Sequence, residues 1–478
     1  MLVRRLEKFL DGILALFSKP AFLYCFILIL LVNQLSFSRE ADRDLFARLA
    51  VGRLVLDSHA VSLQDPFSFA PKKPVWVDHE WLAGAVFESF QRTFGDAGLV
   101  LLKLSFSCLT VLLLLQPLRS KLTGNFALAI FTTALILDST YLWSSTVRSQ
   151  IFTYLMLAYL LINFKRGNIS PLPVFLLMVL GVNAHGGFIV PLIFLGIFTS
   201  YSRSPAAMIA FSLALIATFL TPYPGLSFHQ FMLDALTMSR PSITEWQPLQ
   251  LFSVNAILPL LTGAAVIFGA AQRRNRSDWL GLALIVLGAY AGFRSVRLMA
   301  IFYFCVIVFG HEYLEISLSK FASLFGNYRI KIRRATGLVA LCLMVWATSR
   351  SMTELANGKL MSLTYNEYPT KLTGEMLQSG HKGKLLCDFN LGSYLLWRLY
   401  PNFQIAVDGR YEEVYPDSTL ALVEDAMRPT SPHHSEALRA LSPDFLLIDT
   451  RYNGLEGWES HRIALRDSRF VLLDLGQN

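Results

Sequence analysis

Long apolar runs dominate the sequence and recur from the N-terminus to about residue 350. A helix needs about 20 apolar residues to cross the roughly 30 Å hydrocarbon core of a membrane, where every backbone polar group must find an internal partner. The sequence therefore predicts a polytopic α-helical membrane protein with about eleven transmembrane helices. The runs lie near 20–36, 97–117, 125–143, 150–164, 171–184, 187–201, 205–221, 251–271, 278–293, 298–314 and 335–350.

The charged residues are few, and their positions predict an orientation. Only 16% of the residues are charged, against about 25% in soluble domains, which excludes an ordinary soluble enzyme. Basic residues gather in alternate loops, which places the N-terminus in the cytoplasm and the C-terminus outside. This pattern also explains the net charge of +8 without nucleic acid as a partner. The basic residues are Arg4, Arg5, Lys8, Arg119, Lys121, Lys165, Arg166, Arg203, Arg273, Arg274, Arg276, Lys320, Arg329, Lys331, Arg333 and Arg334.

The apolar runs divide the chain into two predicted domains. Residues 1–350 form the membrane domain, with long outer loops at 37–96 and 222–250. Residues 351–478 have a soluble composition, and apolar runs typical of strands alternate there with helical stretches. This alternation predicts a small α/β domain on the extracytoplasmic side. The predicted strands are 384–389, 404–407, 445–448 and 470–473, and the predicted helices are 419–427 and 435–441.

Two aspartates follow the first span directly. Asp42 and Asp44 begin a helix whose apolar positions predict an amphipathic element on the membrane surface. The two carboxylates favour a helix N-terminus, or one of them could deprotonate an incoming hydroxyl or amine. The pair could also hold a divalent cation, Mg or Mn, through oxygen ligands. Arg48, one helical turn beyond Asp44, is expected to form a modest salt bridge with it.

Further polar residues fall at the predicted outer ends of the spans. His79 and Glu80 lie between two tryptophans of the first outer loop, and His79 is a candidate proton shuttle or phosphate ligand. Arginine snorkelling and histidine capping are the structural alternatives. Together, acids and cations on one face suit a negatively charged, lipid-linked substrate. The other candidates are Arg148, Gln150, Asn183, His185, Glu245, Arg294 and Arg297.

The order of several short motifs is more specific than any one of them. They are Asp44-(x)7-Gly52, Asp65-Pro66-Phe67-Ser68, Trp76-(x)3-Glu80-Trp81-Leu82, Arg148-Ser149-Gln150, Asn183-Ala184-His185-Gly186-Gly187, Glu245-Trp246 and Asp408-Gly409-Arg410. In this order the chain resembles the GT-C class of membrane glycosyltransferases, and an uncharacterised bacterial branch of that class. The resemblance covers most of the membrane part and some of the tail.

This resemblance implies an activity and a set of roles. A sugar would pass from a polyprenyl-phosphate-linked donor to a glycan, lipid or protein acceptor at the outer face of the cytoplasmic membrane. Asp44 would be the general base, with Asp42 as second choice. The donor phosphate would be held by Arg294 or Arg297, helped by Arg148 and His185. The residues expected to contact the acceptor or to support these groups are His79, Glu80, Gln150, Asn183 and Glu245.

One position departs from the family pattern. The bacterial branch often has a histidine four residues after the aspartate, where this chain has Arg48. Two other functions stay open from the residues alone. One is a lipid or glycan transporter or flippase, which predicts ionisable residues near the middle of the membrane. The other is a non-catalytic membrane partner in envelope polysaccharide assembly.

Overall fold

The computed structural model describes residues 2–238, 244–273, 278–452 and 454–476. Within them the chain is mostly helical and ends in a small sheet. The predicted cytoplasmic residues Arg274 and Arg276 lie outside the described residues.

The first half of the chain is entirely helical in its described elements. These helices are α1 (Leu2–Phe17), α2 (Pro20–Phe37), α3 (Arg43–Ser58), α4 (Trp81–Phe94), α5 (Asp96–Leu115), α6 (Arg119–Gly124), α7 (Phe126–Ser144), α8 (Gln150–Arg166), α9 (Pro171–Ala184), α10 (Ile189–Ser202), α11 (Pro205–Ala217) and α12 (Ser227–Thr237).

The second half adds the strands. Its elements are α13 (Ile257–Gln272), α14 (Trp279–Arg294), α15 (Met299–Cys305), α16 (His311–Ser323), α17 (Arg329–Ala356), α18 (Thr370–Gln378), β1 (Gly383–Cys387), α19 (Phe389–Leu399), β2 (Phe403–Ile405), α20 (Tyr411–Val414), α21 (Asp417–Met427), α22 (His434–Leu441), β3 (Phe445–Asp449), β4 (Arg462–Arg466) and β5 (Phe470–Asp474).

These elements form two compact units. Unit 1 comprises Met1–Arg39, Asp96–Leu220 and Ser239–Ser362. Unit 2 comprises Glu40–Gly95, Thr221–Met238 and Leu363–Asn478. The tail therefore shares its unit with most of the first outer loop and part of the second, whereas the sequence predicted a division near residue 350.

Unit 1 contains the apolar helices of a membrane protein. Among the described residues, five helical segments are long and apolar enough to cross a membrane. The prediction of eleven spans exceeds that number. The five segments are Pro20–Phe37, Asp96–Gly124, Phe126–Ser144, Val254–Gln272 and Val296–Ser323.

Helix breaks explain part of the difference in span number. α9 has 14 residues and α11 has 13, so each extends about 20 Å at 1.5 Å per residue, against a hydrocarbon core of about 30 Å. α9 ends at Ala184 with His185 as its C-cap, and a 3₁₀ turn at Gly186–Phe188 precedes α10. Four of the predicted spans are therefore shorter apolar helices, Pro171–Ala184, Gly186–Ser202, Pro205–Ala217 and Trp279–Arg294.

Unit 2 contains a five-stranded sheet in the order β2-β1-β3-β5-β4. β1 pairs in parallel with β2 and β3, whereas β5 runs antiparallel to β3 and β4. The four predicted tail strands and the two predicted helices are confirmed within a few residues. The first outer loop extends the sheet, because the backbone of Ile405 exchanges hydrogen bonds with Phe67 and Phe69 at 3.0 and 3.2 Å.

The helix α3 is an internal element of unit 2, which corrects the prediction of an amphipathic surface helix. All residues from Leu45 to Gly52 are buried. Phe46 lies 4.8–5.3 Å, centroid to centroid, from the rings of Tyr368, Tyr394 and Trp397. These aromatic contacts help to bury the middle of the helix, whereas its first residues and its last turns are exposed or half-buried.

Glycines allow α3 and α4 to pack backbone to backbone. A Cβ at Gly52 would overlap the carbonyl oxygen of Gly84, and a Cβ at Gly84 would lie 2.6 Å from the carbonyl oxygen of Arg48. Real Cβ atoms do not approach that closely, so both positions require glycine. This contact brings the first turns of α4 against the middle of α3.

Candidate functional site

The predicted site residues are divided between the two units. Asp42, Asp44, His79 and Glu80 belong to unit 2. The other seven candidates, Arg148, Gln150, Asn183, His185, Glu245, Arg294 and Arg297, belong to unit 1.

Asp42 and Asp44 occupy the start of α3 but differ in role. Asp42 is the N-cap, since its Oδ1 accepts a hydrogen bond from the backbone N–H of Asp44 at 3.0 Å. This is the helix-capping arrangement that acidic residues favour. Asp44 is exposed, and a Cβ at Gly409 would lie 3.4 Å from its Oδ1. The Asp-Gly-Arg motif of the tail therefore lies beside the aspartate that follows the first span.

Arg48 is the centre of a buried ion cluster. Only 5% of this residue is exposed. Its Nη1 donates to Asp78, its Nη2 donates to Glu413 at 3.0 Å, and its Nε lies 3.4 Å from Glu80. The prediction that Arg48 pairs mainly with Asp44 is wrong. The Arg48 side chain points into the unit, towards three other carboxylates.

His79 completes the cluster. Its Nδ1 lies 3.1 Å from Oε1 of Glu413, and its Nε2 lies 3.7 Å from Glu80. The Phe231 ring lies 5.2 Å from the imidazole, centroid to centroid. Tyr223 donates its hydroxyl to the backbone oxygen of Asp78 at 2.5 Å. The cluster thus joins the first outer loop, α3, the tail and residues 221–238.

Charge balance sets the protonation of this cluster, in which three carboxylates meet two basic groups. Burial by itself would lower the pKa of His79, but its contact with Glu413 and the charge of Glu80 raise it to about 9. Burial raises the pKa of Asp78 to about 6 despite Arg48. Burial would also raise the pKa of Glu413, but Arg48 and His79 hold it below its ordinary value. At neutral pH His79 is therefore an imidazolium.

A second buried ion network surrounds Arg410. Its guanidinium donates to Asp408 at 2.8 and 2.9 Å and to Asp65 at 2.9 Å. The rings of Phe67 and Trp76 lie 4.9 and 5.0 Å from it. Two motifs that are more than 300 residues apart in sequence are thus structural partners, and the Asp-Gly-Arg motif acts mainly as a buried support.

The divalent cation considered for Asp42 and Asp44 finds no ligand set in the described part of the chain. No group of three or more His, Cys, Asp or Glu side chains is arranged there to hold a metal ion. Mg²⁺ and Ca²⁺ prefer about six or more oxygen ligands, whereas Oδ1 of Asp42 is already engaged with the α3 backbone.

Unit 1 brings three predicted residues together at helix ends. Arg148 precedes α8, Arg297 lies in the turn between α14 and α15, and Glu245 comes from the second outer loop. The Glu245 carboxylate lies 3.1 Å from Nη1 of Arg148 and accepts from Nη1 of Arg297 at 2.7 Å. Two guanidiniums sharing one carboxylate leave this trio with a net charge of +1.

Backbone bonds hold the loop that carries Glu245. The N–H of Leu249 donates to Phe293 at 3.1 Å, and the N–H of Val296 donates to Gln247 at 3.2 Å. The neighbouring Arg294 is exposed and forms no ion pair with any residue that the structure describes. This cation is therefore available to an anionic ligand.

Aromatic and amide groups orient Arg297. The Trp246 ring lies 5.0 Å from its guanidinium. With its amide oxygen towards Arg297, Gln150 accepts from Nε at 2.7 Å. Tyr154, which the sequence did not single out, donates to the backbone oxygen of Arg297 at 3.2 Å. Gln150 and Glu245 thus hold the Arg297 guanidinium in position.

His185 and Asn183 have local structural roles. Nδ1 of His185 accepts from the N–H of Gly187 at 3.1 Å and lies 2.8 Å from Oγ1 of Thr153. Since this nitrogen is an acceptor, a contact with a phosphate would use Nε2. The Asn183 amide donates to Val179 at 2.8 Å and to Leu220 at 2.9 Å, which satisfies its buried N–H groups.

Three ionisable groups with internal partners, Lys103 and Glu413 (buried) and Asp138 (half-buried), were not singled out from the sequence. The Lys103 ammonium in α5 donates to the backbone oxygens of Leu35 and Ser145, both at 3.0 Å. Asp138 in α7 accepts from the Tyr303 hydroxyl at 2.8 Å. Glu413 lies in unit 2 as described above. A charged residue inside an apolar run is a detectable signal for the first two, whereas the tail sequence around Glu413 carries none.

No protein-family model matches the sequence, and no curated protein matches it. Function is therefore inferred from the residues and their geometry.

Proposed function

We propose that the protein is a polytopic GT-C-like glycosyltransferase of the cytoplasmic membrane. Its eleven predicted spans would place the N-terminus inside and the C-terminal domain outside. It would transfer a sugar from a polyprenyl-phosphate-linked donor to a glycan, lipid or protein acceptor. The observation that carries the proposal is the exposed Asp44 carboxylate, held on the buried helix α3 beside Gly409.

Asp44 suits the role of a general base. The acceptor nucleophile would attack the anomeric carbon, polyprenyl phosphate would leave, and Asp44 would take the acceptor's proton. An effective base must be held in a fixed position. Its helix is capped by Asp42 and anchored through the buried Arg48, which supports a fixed carboxylate.

The trio of Arg148, Glu245 and Arg297 in unit 1 suits the departing phosphate. Negative charge grows on that group in the transition state, and preorganised cations stabilise it. Arg297 is oriented by Gln150 and Trp246, and exposed Arg294 lies three residues away in sequence. We assign donor binding to these two arginines and a positioning role to Glu245.

Donor binding can be tested apart from catalysis. Thermal stabilisation of the purified protein is measured during titration with polyprenyl-phosphate-linked sugars. Arg294→Gln and Arg297→Gln should each weaken the apparent affinity about tenfold or more, since a charged hydrogen bond contributes about 1.5–3 kcal/mol. Arg439→Gln, an exposed arginine of unit 2, is the control. Equal affinity in all four proteins would contradict the assignment of Arg294 and Arg297 to donor-phosphate binding.

One observation favours a transporter as a second candidate. The Asp138–Tyr303 pair lies within two helical segments apolar enough to cross a membrane, where ionisable residues often mark a substrate or proton path. Asp138→Asn should abolish lipid movement in proteoliposomes if the protein is a transporter. A glycosyltransferase should keep its sugar transfer in the same variant.

A further inference from the structure

α1 packs against the start of α17 in unit 1, and ion pairs join the two helices. Arg334 donates to both carboxylate oxygens of Asp11 at 2.9 and 2.8 Å, and it lies 3.2 Å from Glu7. A Cβ at Gly337 would lie 2.9 Å from Leu14. Because these contacts advance in the same direction along both helices, α1 runs parallel to α17.

Arg334 pairs with the two acidic residues of α1, whereas seven further basic residues of α1 and of residues 320–333 have no acidic partner among the described residues. Within the described part of the chain, the other basic residues of this region are exposed and form no ion pair. Arg329 and Arg333 stand one turn apart on α17, where like charges repel. An anionic ligand would relieve this repulsion. The cations without an ion pair among the described residues are Arg4, Arg5, Lys8, Lys320, Arg329, Lys331 and Arg333, and the Lys331 ammonium lies 5.7 Å from the centre of the Tyr328 ring.

A cleft lies beside two of these cations, Arg329 and Arg333. It has a volume of about 480 Å³ and is lined by Gly326, Arg329, Ile330 and Arg333. Large apolar side chains of the same short segment are also exposed. These exposed side chains are Phe321, Leu324, Phe325, Tyr328 and Ile330.

We propose that this cleft, with its flanking cations, binds the headgroup of an anionic phospholipid. Arginine forks match phosphodiester oxygens, and the apolar side chains beside them suit the upper acyl chain. Clusters of Lys and Arg next to an apolar helix attract anionic membrane surfaces. A free phosphate would contact the arginines alone, whereas a phospholipid would also contact the exposed apolar side chains beside them, so we take a lipid as the occupant.

Native mass spectrometry of the detergent-purified full chain tests the site with short-chain phosphatidylglycerol and phosphatidylcholine as probes. The native protein should prefer phosphatidylglycerol. The double variant Arg329→Gln/Arg333→Gln should bind it about 25-fold more weakly, at roughly fivefold per basic residue. Lys371→Gln/Arg428→Gln removes the same charge from exposed positions of unit 2 and should leave binding unchanged.

Three results would overturn the proposal. The first is equal binding of phosphatidylglycerol by the cleft variant and the native protein. The second is an equal loss in the control variant, which would reduce the effect to net charge. The third is full displacement of the lipid by an equal concentration of inorganic phosphate. Matching thermal melting of both double variants shows that lost binding does not come from unfolding.

Discussion

Replacing Arg48 by methionine should strongly destabilise unit 2. Methionine keeps much of the side-chain length but removes a charge that contacts Asp78, Glu80 and Glu413. Only His79 would then oppose three carboxylates. Removing one partner of a buried ion pair costs about 3–5 kcal/mol. Asp78, with its pKa near 6, can take up a proton, so we expect about 3 kcal/mol at neutral pH and more at higher pH.

The loss should be local and measurable. A change of about 3 kcal/mol lowers the melting temperature of a domain of this size by roughly 10 °C. Hydrogen–deuterium exchange should show faster exchange in α3 and α20. The matched control is Arg53→Met on the same helix, because the Arg53 side chain is 40% exposed and pairs with Glu88. That variant should lose about 1 kcal/mol or less.

Two outcomes would refute this reasoning. Equal melting temperatures for Arg48→Met and Arg53→Met would show that the buried cluster does not stabilise the unit. The double variant Arg48→Met/Glu413→Gln should recover part of the loss, since it removes one unpaired carboxylate. A further drop instead would show that charge repulsion is not the cause.

Two other perturbations test the same unit. Protonated His79, with its raised pKa, stabilises the folded state by roughly 3 kcal/mol. This stabilisation is complete below about pH 6.5 and is lost as the pH rises through about 9. In His79→Gln, the free energy of unfolding measured with urea should therefore fall less as the pH rises towards about 9 than it does in the native protein. An equal fall in both proteins would contradict a protonated His79 at neutral pH. Gly52→Ala should cost about 3 kcal/mol in thermal melts through its clash with Gly84, whereas Gly12→Ala, which meets open space, should not destabilise.

Local patterns predicted much of the fold. Short apolar runs located four of the tail strands, and an aspartate before an apolar run located the start of α3. β4 (Arg462–Arg466) was not predicted, because its residues lie largely exposed at the sheet edge and lack a buried apolar run. The eleven predicted spans exceed the five long apolar helical segments of the described residues, since hydropathy detects apolar helices without showing that a break such as the one at His185 shortens them.

Long-range pairing is what the sequence could not predict. Arg48 is 30 residues from Asp78 and 365 from Glu413, and no periodicity connects such positions. A charged residue in a helix is usually solvated, so Arg48 suggested a surface position. Arg148, Glu245 and Arg297 were each selected singly as charged groups near span ends, and the structure brings these three together.

Sugar transfer by Asp44→Asn is the most direct test of the proposed glycosyltransferase. The purified variant is supplied with polyprenyl-phosphate-linked sugars and candidate acceptors, and turnover is compared with that of the native protein. Loss of a general base should lower turnover about 100-fold or more, while thermal stabilisation by the donor persists. Unchanged transfer in Asp44→Asn would contradict the assignment of Asp44 as the base, and no transfer by the native protein with any donor would contradict the proposed activity itself.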